Sequence, residues 1–215
     1  MYCGYRYLRD TFRTTALSLS NEAVVNSGVN KLVRADSQLF VPPRMAPDKN
    51  DLMAQLVFAL KHEGINLEIL SQVLPKLDSA LLQQSLDNKP SSAIYRKIGW
   101  LWEEFTQKQL DYERPSGNYV DFFDDSLYFT GPKRQIPRWR LIFNGLGNLT
   151  YCPIVRKTEK LTDKNTESVF AELNRHLSSI PSQLLQRAAD WAYLSETRSS
   201  FEIEKEAPNG SKAER

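Results

Sequence analysis

The chain has 215 residues, of which 41% are hydrophobic and 25% are charged. This length allows one large domain or two small ones with a buried core. The hydrophobic fraction is too high for a disordered chain. The 28 basic and 26 acidic residues leave a net charge of only +2, so the chain as a whole has no strong attraction to nucleic acid or to an anionic membrane.

Cysteine and histidine usage excludes several kinds of site. Cys3 and Cys152 lie far apart and form no CxxC motif, which excludes a disulfide framework and favours a reducing, cytoplasmic setting. His62 and His176 have no cysteine nearby, so we expect no metal site. No apolar run approaches the ~20 residues that span a bilayer, so we also expect no membrane partner.

Residues 1–48 predict an irregular N-terminal arm. They contain a valine-containing stretch, 24–33, and an extended segment, 39–44. Pro42 and Pro43 disfavour a helix in that segment.

Residues 49–112 predict a bundle of four short helices. Asp51 and Asp78 are typical N-caps, and Gly64 and Pro75 are typical helix ends. The short connections favour antiparallel neighbours. Trp100 is expected to line the rim of the bundle. The fourth helix, which begins at 91 or 92, carries the longest apolar stripe: Ile94, Ile98, Leu101, Trp102 and Phe105.

Residues 113–160 predict a connector, because 119–123 and 127–130 are rich in strand formers and glycines flank them. Residues 161–206 predict helices, and 207–215 form a polar tail. The last helix should run from about Ser182 toward Glu204. Its expected inner face consists of Leu184, Ala188, Trp191, Ala192 and Ser195. The predicted fold class is therefore mainly α, a helical bundle with a short irregular or β-containing connector.

A basic cluster surrounds Trp139 and consists of Lys133, Arg134, Arg138 and Arg140. Such a cluster is able to contact phosphates, and the tryptophan to stack on a base. The alternative is an ordinary solvated surface, which the nearly neutral net charge favours.

Three stretches carry a family resemblance: FALKHEGINLE at 58–68, GNYVD at 117–121 with LYFTGP at 127–132, and ETRSSFEIE at 196–204. In this order they resemble the N-terminal helical region, the connecting segment and the inhibitory helix of bacterial Fic-type (Fido) adenylyltransferases. The resemblance as a whole covers roughly residues 50–206, which is most of the chain.

The resemblance implies that Ser200 and Glu204 are regulatory residues. The family's inhibitory pattern is Ser or Thr, three residues, Glu, and then Gly or Asn. Ser200 and Glu204 match it, whereas Lys205 departs from the small final residue. In the family this glutamate pairs with an arginine of the catalytic core and obstructs the γ-phosphate of ATP, which is autoinhibition. The alternative is that Ser200 and Glu204 are solvated residues at a helix end.

The family's catalytic signature, His-Pro-Phe followed by Gly-Asn-Gly-Arg, does not occur in the chain. The glycine-containing stretch 144–148 also lacks the Lys-Ser/Thr ending of a phosphate-binding P-loop. We therefore expect no catalytic residues and no cofactor in this chain. The resemblance implies that ATP and Mg belong to the family's catalytic core.

The resemblance implies that the chain is the N-terminal regulatory and target-facing portion of a Fic-type protein adenylyltransferase, which transfers AMP from ATP to protein hydroxyl groups. Alone, the chain is predicted to be inactive. Its expected partners are a Fic catalytic core, in cis or in trans, and a target protein. The ending at 210–215 looks like the middle of a sequence, which suggests a truncated product. The alternatives are a standalone antitoxin-like inhibitor of a separate Fic core and a helical nucleic-acid-binding protein that uses the basic cluster.

Overall fold

The computed structural model describes residues 1–17, 21–35, 37–112, 117–162 and 166–203. The chain divides into two compact units, Met1–Lys157 and Thr158–Arg215. The first unit therefore combines the regions expected as an arm, a bundle and a connector. Within the described ranges, no helix is both long enough and apolar enough to cross a membrane.

A four-stranded sheet and a helix occupy the region where we expected an irregular arm. The strand order is β1-β2-β4-β3, with β2 parallel to β4 and the outer pairs antiparallel. A small core of Cys3, Ala23, Leu39, Val41 and Phe58 lies on this sheet. The elements are β1 (Tyr2–Cys3), α1 (Gly4–Phe12), β2 (Glu22–Val25), β3 (Val33–Ala35) and β4 (Gln38–Val41), followed by a 3-10 turn at Pro43–Met45.

The four helices predicted between residues 49 and 112 are confirmed. The Asp51 carboxylate accepts a hydrogen bond from the Ala54 amide, and the Asp78 carboxylate accepts one from the Ala80 amide, so both predicted caps form. The elements are α2 (Leu52–Phe58) with a π-helical turn (Ala59–Glu63), α3 (Leu67–Val73) with a 3-10 turn (Leu74–Lys76), α4 (Ser79–Asn88) and α5 (Ala93–Thr106).

A second, three-stranded sheet follows α5, with the order β5-β7-β6. Strand β5 is parallel to β7, and β6 is antiparallel to it. An isolated bridge joins Tyr128 to Arg156 and closes the unit near its end. The elements are β5 (Val120–Asp121), β6 (Arg134–Ile136), a 3-10 turn (Pro137–Trp139) and β7 (Leu141–Phe143).

The main core of the first unit lies between the helices and this second sheet. Trp100 is 2% exposed and packs on Phe122 and Phe143, with ring centroids 5.0 and 5.5 Å away. The expectation that Trp100 lines a rim is therefore wrong, whereas Trp102 is buried as predicted. Gly99 allows α5 to approach the Trp139 ring, because a Cβ at this position would overlap it.

The mainly-α assignment is wrong: the chain has a mixed α/β fold with two small mixed sheets. Each strand has only two to four residues. Such strands are too short to show the alternation of apolar and polar residues that identifies a strand in a sequence. Two of the pairings are parallel and join segments that are not consecutive in the chain, so no hairpin turn indicates them.

The second unit contains three helices in its described part: α6 (Glu159–Thr162), α7 (Thr166–Ser178) and α8 (Ser182–Ile203). Pro181 separates α7 from α8, as the sequence predicts. The predicted tail, 207–215, lies outside the described residues.

Candidate functional site

Of the two predicted regulatory residues, Ser200 and Glu204, the structure describes only the backbone of Ser200. The backbone of α8 includes Ser200 and reaches Ile203. The side chain of Ser200 and the whole of Glu204 lie outside the described residues. Their roles therefore remain predictions from the resemblance.

The apolar surface of α7 and α8 is the most unusual feature of the second unit. In the described part of this unit, no hydrophobic side chain is buried. Trp191 is 73% exposed, and Leu184, expected on an inner face, is 59% exposed. Exposed apolar side chains on α7 and α8 comprise Val169, Phe170, Leu173, Leu177, Leu184, Trp191, Tyr193 and Leu194.

Such a surface is suited to packing against another protein surface. A helix in a globular protein normally buries its apolar stripe, and large exposed apolar patches mark interaction sites. Leu184 and Trp191 are seven residues apart, or about two helical turns, so they share one side of α8. Tyr193 follows Trp191 by two residues and therefore lies on the opposite side.

The predicted basic cluster is divided among separate contacts. Lys133 forms an ion pair with Asp121 at 2.9 Å. Arg138 forms one with Glu103 at 2.9 Å and also donates a hydrogen bond to the Leu110 carbonyl. These cations therefore already have acceptors within the fold.

The other members of the cluster have different surroundings. Trp139 is buried, stacks on Tyr112 and donates its Nε1–H to Glu103 at 2.7 Å, so its ring is not available to a nucleic-acid base. Arg134 is exposed and lies over the Phe143 ring. Arg140 is half-buried and donates a hydrogen bond to the Gly117 carbonyl.

The histidines and cysteines do not come together. His62 packs against Phe58, and His176 lies 3.9 Å from Glu172 on α7.

Burial and the negative charge of Glu63 raise the pKa of the Cys3 thiol to about 12, and burial also raises the pKa of Cys152. High thiol pKa values disfavour nucleophilic chemistry. In the part of the chain that the structure describes, no group of His, Cys, Asp and Glu side chains is suited to hold a metal ion.

A buried carboxylate, which the sequence analysis did not identify, holds the start of α1. Glu63 accepts a hydrogen bond from the Tyr5 backbone N–H at 2.9 Å, and Gln55 accepts one from the Gly4 backbone N–H at 2.8 Å. Burial raises the pKa of Glu63 to about 7, although the Tyr5 hydrogen bond and the charge of Arg34 act in the opposite direction. Gly4 fits here because a Cβ would overlap the Glu63 carboxylate.

The clefts on the first unit include three of about 460, 350 and 210 Å³. The first of these lies between the start of α2, α4 and the start of α5, and its polar lining includes Asn50, Gln84, Asn88 and Lys89. The second, of about 350 Å³, lies between α3, α5 and residues 149–153, with the exposed Tyr151 in its lining. Amide and hydroxyl groups of this kind are able to hydrogen-bond a peptide backbone.

Comparison of the chain with protein-family models, with curated proteins and with solved structures returned no match.

Proposed function

We propose that the chain is the regulatory and target-facing portion of a Fic-type protein adenylyltransferase. The catalytic core, in cis or in trans, would bind ATP and Mg and transfer AMP to a protein hydroxyl group. The chain itself supplies the inhibitory Glu204 and, in its first unit, a surface for the target. The exposed apolar surface of α7 and α8 carries this proposal, because such a surface requires a partner.

In the proposed inhibition, α8 positions Glu204. The helix extends over Ser182–Ile203, and Glu204 is the next residue in the sequence. Packing of its Leu184–Trp191 side on the core would fix the axis of the helix. A fixed helix end would hold the Glu204 carboxylate beside the core arginine, because a bidentate Arg–carboxylate pair is directional. A carboxylate there repels the ATP γ-phosphate.

The inhibitory role is tested by mixing or joining the chain with a Fic catalytic core and measuring protein labelling from labelled ATP. We expect Glu204→Gly to raise the labelling rate, because the obstruction of the γ-phosphate is removed. Glu202→Gly is the matched control, because it makes the same substitution two residues away and leaves Ser200 and Glu204 of the inhibitory pattern in place. Equal rates for wild type and Glu204→Gly would contradict the proposal. The chain without a core should show no labelling.

The docking side of α8 is tested by measuring binding of the same core to two variants of the full chain. Trp191→Ala should weaken binding, because a large apolar anchor is lost. Tyr193→Ala removes an aromatic side chain of comparable exposure from the other side of the helix and should have little effect. Equal losses of affinity in the two variants would refute the docking orientation.

A further inference from the structure

Two arginines meet where α5 packs against the second sheet. Arg96, on α5, is 4% exposed. Its Nη1 group donates hydrogen bonds to the backbone carbonyl oxygens of Asn118 and Arg140, at 3.2 and 3.0 Å. Arg140 is half-buried, and its Nη1 group donates to the carbonyl oxygen of Gly117. Arg140 is therefore the more solvent-exposed of the two arginines.

Among the described residues, no carboxylate pairs with either of these arginines. Burial lowers the pKa of Arg96, and the neighbouring charge of Arg140 also acts to lower it, whereas Tyr112 acts to raise it. A desolvated cation beside a second cation is unfavourable without a compensating anion.

Both arginines also have a hydrogen-bond donor that is not used. The Nε atoms of Arg96 and Arg140 are buried and have no hydrogen-bond partner among the residues that the structure describes. A buried N–H group without an acceptor is normally unfavourable, because it has lost its hydrogen bond to water. Arg140 adopts a left-handed backbone conformation, with φ 45°, which is uncommon for a residue other than glycine. The fold therefore holds Arg140 in place although its donors are incompletely satisfied.

Two neighbouring basic residues differ from Arg96 and Arg140, because each of them is paired with a carboxylate. Lys133 is paired with Asp121, and Arg138 is paired with Glu103. Those pairs explain the positions of these two cations without any ligand. Within the part of the chain that the structure describes, the guanidinium groups of Arg96 and Arg140 donate hydrogen bonds only to backbone oxygens. Such oxygens carry partial charges, so the combined positive charge remains available to an anion.

We propose that Arg96 and Arg140 form a binding site for a phosphate group, either free phosphate or a phosphate monoester. Two guanidinium groups match the charge of a phosphate dianion, and each presents several N–H donors in one plane. A phosphate oxygen accepts charge-assisted hydrogen bonds from such donors. Arg140, at the half-buried rim, contacts the ligand first, and Arg96 supplies the inner positive charge. This site consists of residues of the first unit, and the proposal does not depend on the proposed function.

The proposal is tested with the full chain by isothermal titration calorimetry at low ionic strength. Inorganic phosphate and AMP are the probes, and acetate is the monovalent control. We expect saturable binding of phosphate or AMP, and tighter binding of AMP would identify a monoester as the natural ligand. Arg140→Asn should weaken binding roughly tenfold or more, the loss expected for a charge-assisted contact. Asparagine tolerates the left-handed backbone at this position, so the fold should survive.

Arg134→Asn is the matched control, because it removes an exposed positive charge from the same stretch of the chain. It should leave phosphate affinity almost unchanged. The proposal is overturned if neither phosphate nor AMP binds the wild type, or if the two variants lose affinity equally. It is also overturned if a single-stranded oligonucleotide binds while phosphate and AMP do not, since that result would indicate an extended nucleic-acid surface.

Discussion

The Glu63 carboxylate links the stability of the first unit to pH. Its pKa is about 7 in the fold, against an ordinary value of 4.5. Between these two pH values the folded chain retains a proton that the unfolded chain releases. The contribution of Glu63 to stability is therefore fully present below pH 4.5 and is lost as pH rises through 7. Above that pH the fold contains a buried negative charge.

Glu63→Gln should remove this pH dependence and raise the free energy of unfolding near pH 8 by up to about 3 kcal/mol. The glutamine oxygen is still able to accept the Tyr5 hydrogen bond, but it carries no charge. Urea unfolding of both proteins at a series of pH values measures the difference. Asp125→Asn, at an exposed position, is the control and should follow the wild-type curve. Parallel curves for wild type and Glu63→Gln would contradict the role of Glu63.

Glu103 organises the part of the basic cluster that lies at the end of α5. Its carboxylate accepts hydrogen bonds from Arg138, the Trp139 Nε1–H and the Leu110 backbone N–H. Glu103→Ala should therefore cost about 2–4 kcal/mol of unfolding free energy, because three donors lose their acceptor. Lys108→Ala, an exposed change near the same helix end, should cost less than about 0.5 kcal/mol. Chemical denaturation tests this, and equal effects would show that Glu103 is not a structural centre.

At the scale of elements, the main core combines the helices with the second sheet. Leu56 on α2 and Ile98 on α5 are both fully buried. Each mutation to alanine should cost about 2–5 kcal/mol, because it leaves a cavity. Leu173→Ala on α7 is the matched control: this leucine is 48% exposed, so its loss should change stability by less than about 0.5 kcal/mol. A negligible change in the free energy of unfolding at both buried sites would contradict the burial of Leu56 and Ile98 in this core.

Helices could be predicted from this sequence because their signals are local. Asp51 and Asp78 cap the helices that follow them, and a helical stripe of apolar residues is visible within a single segment. The parallel pairing of Val24 with Phe40 in the first sheet depends instead on contacts between separate segments. The burial of Trp100 depends in the same way on Phe122 and Phe143, which the sequence places far away.

The candidate sites were predictable only in part, for the same reason. Glu63 gains its raised pKa from burial beside Tyr5, a residue distant in sequence, and no local motif indicates it. The pattern of Lys133 and Arg138 predicts a charged surface but not the carboxylates that pair with them. Periodicity likewise shows that α8 has an apolar side but not what covers that side.

At the scale of the whole molecule, the two units differ in how their apolar residues are used. The first unit buries large side chains such as Trp139 and Phe122 in a continuous core. The described helices of the second unit expose theirs, including Phe170 and Trp191. Burial of apolar surface is the main favourable term in folding, so the two units should differ in their resistance to local opening.

Hydrogen–deuterium exchange on the full chain measures that difference directly. We expect amides in α5 to exchange at least about 100-fold more slowly than those in α7 and α8, because α5 is packed on both the helices and the second sheet. Addition of a Fic catalytic core should slow exchange in α8, since a partner on the Leu184–Trp191 side would stabilise the helix. Trp191→Ala should reduce this protection, and Tyr193→Ala should not. Equal protection of α5 and α8 in the free chain would mean that the second unit is stable without a partner. Its exposed apolar side chains would then not indicate a binding surface.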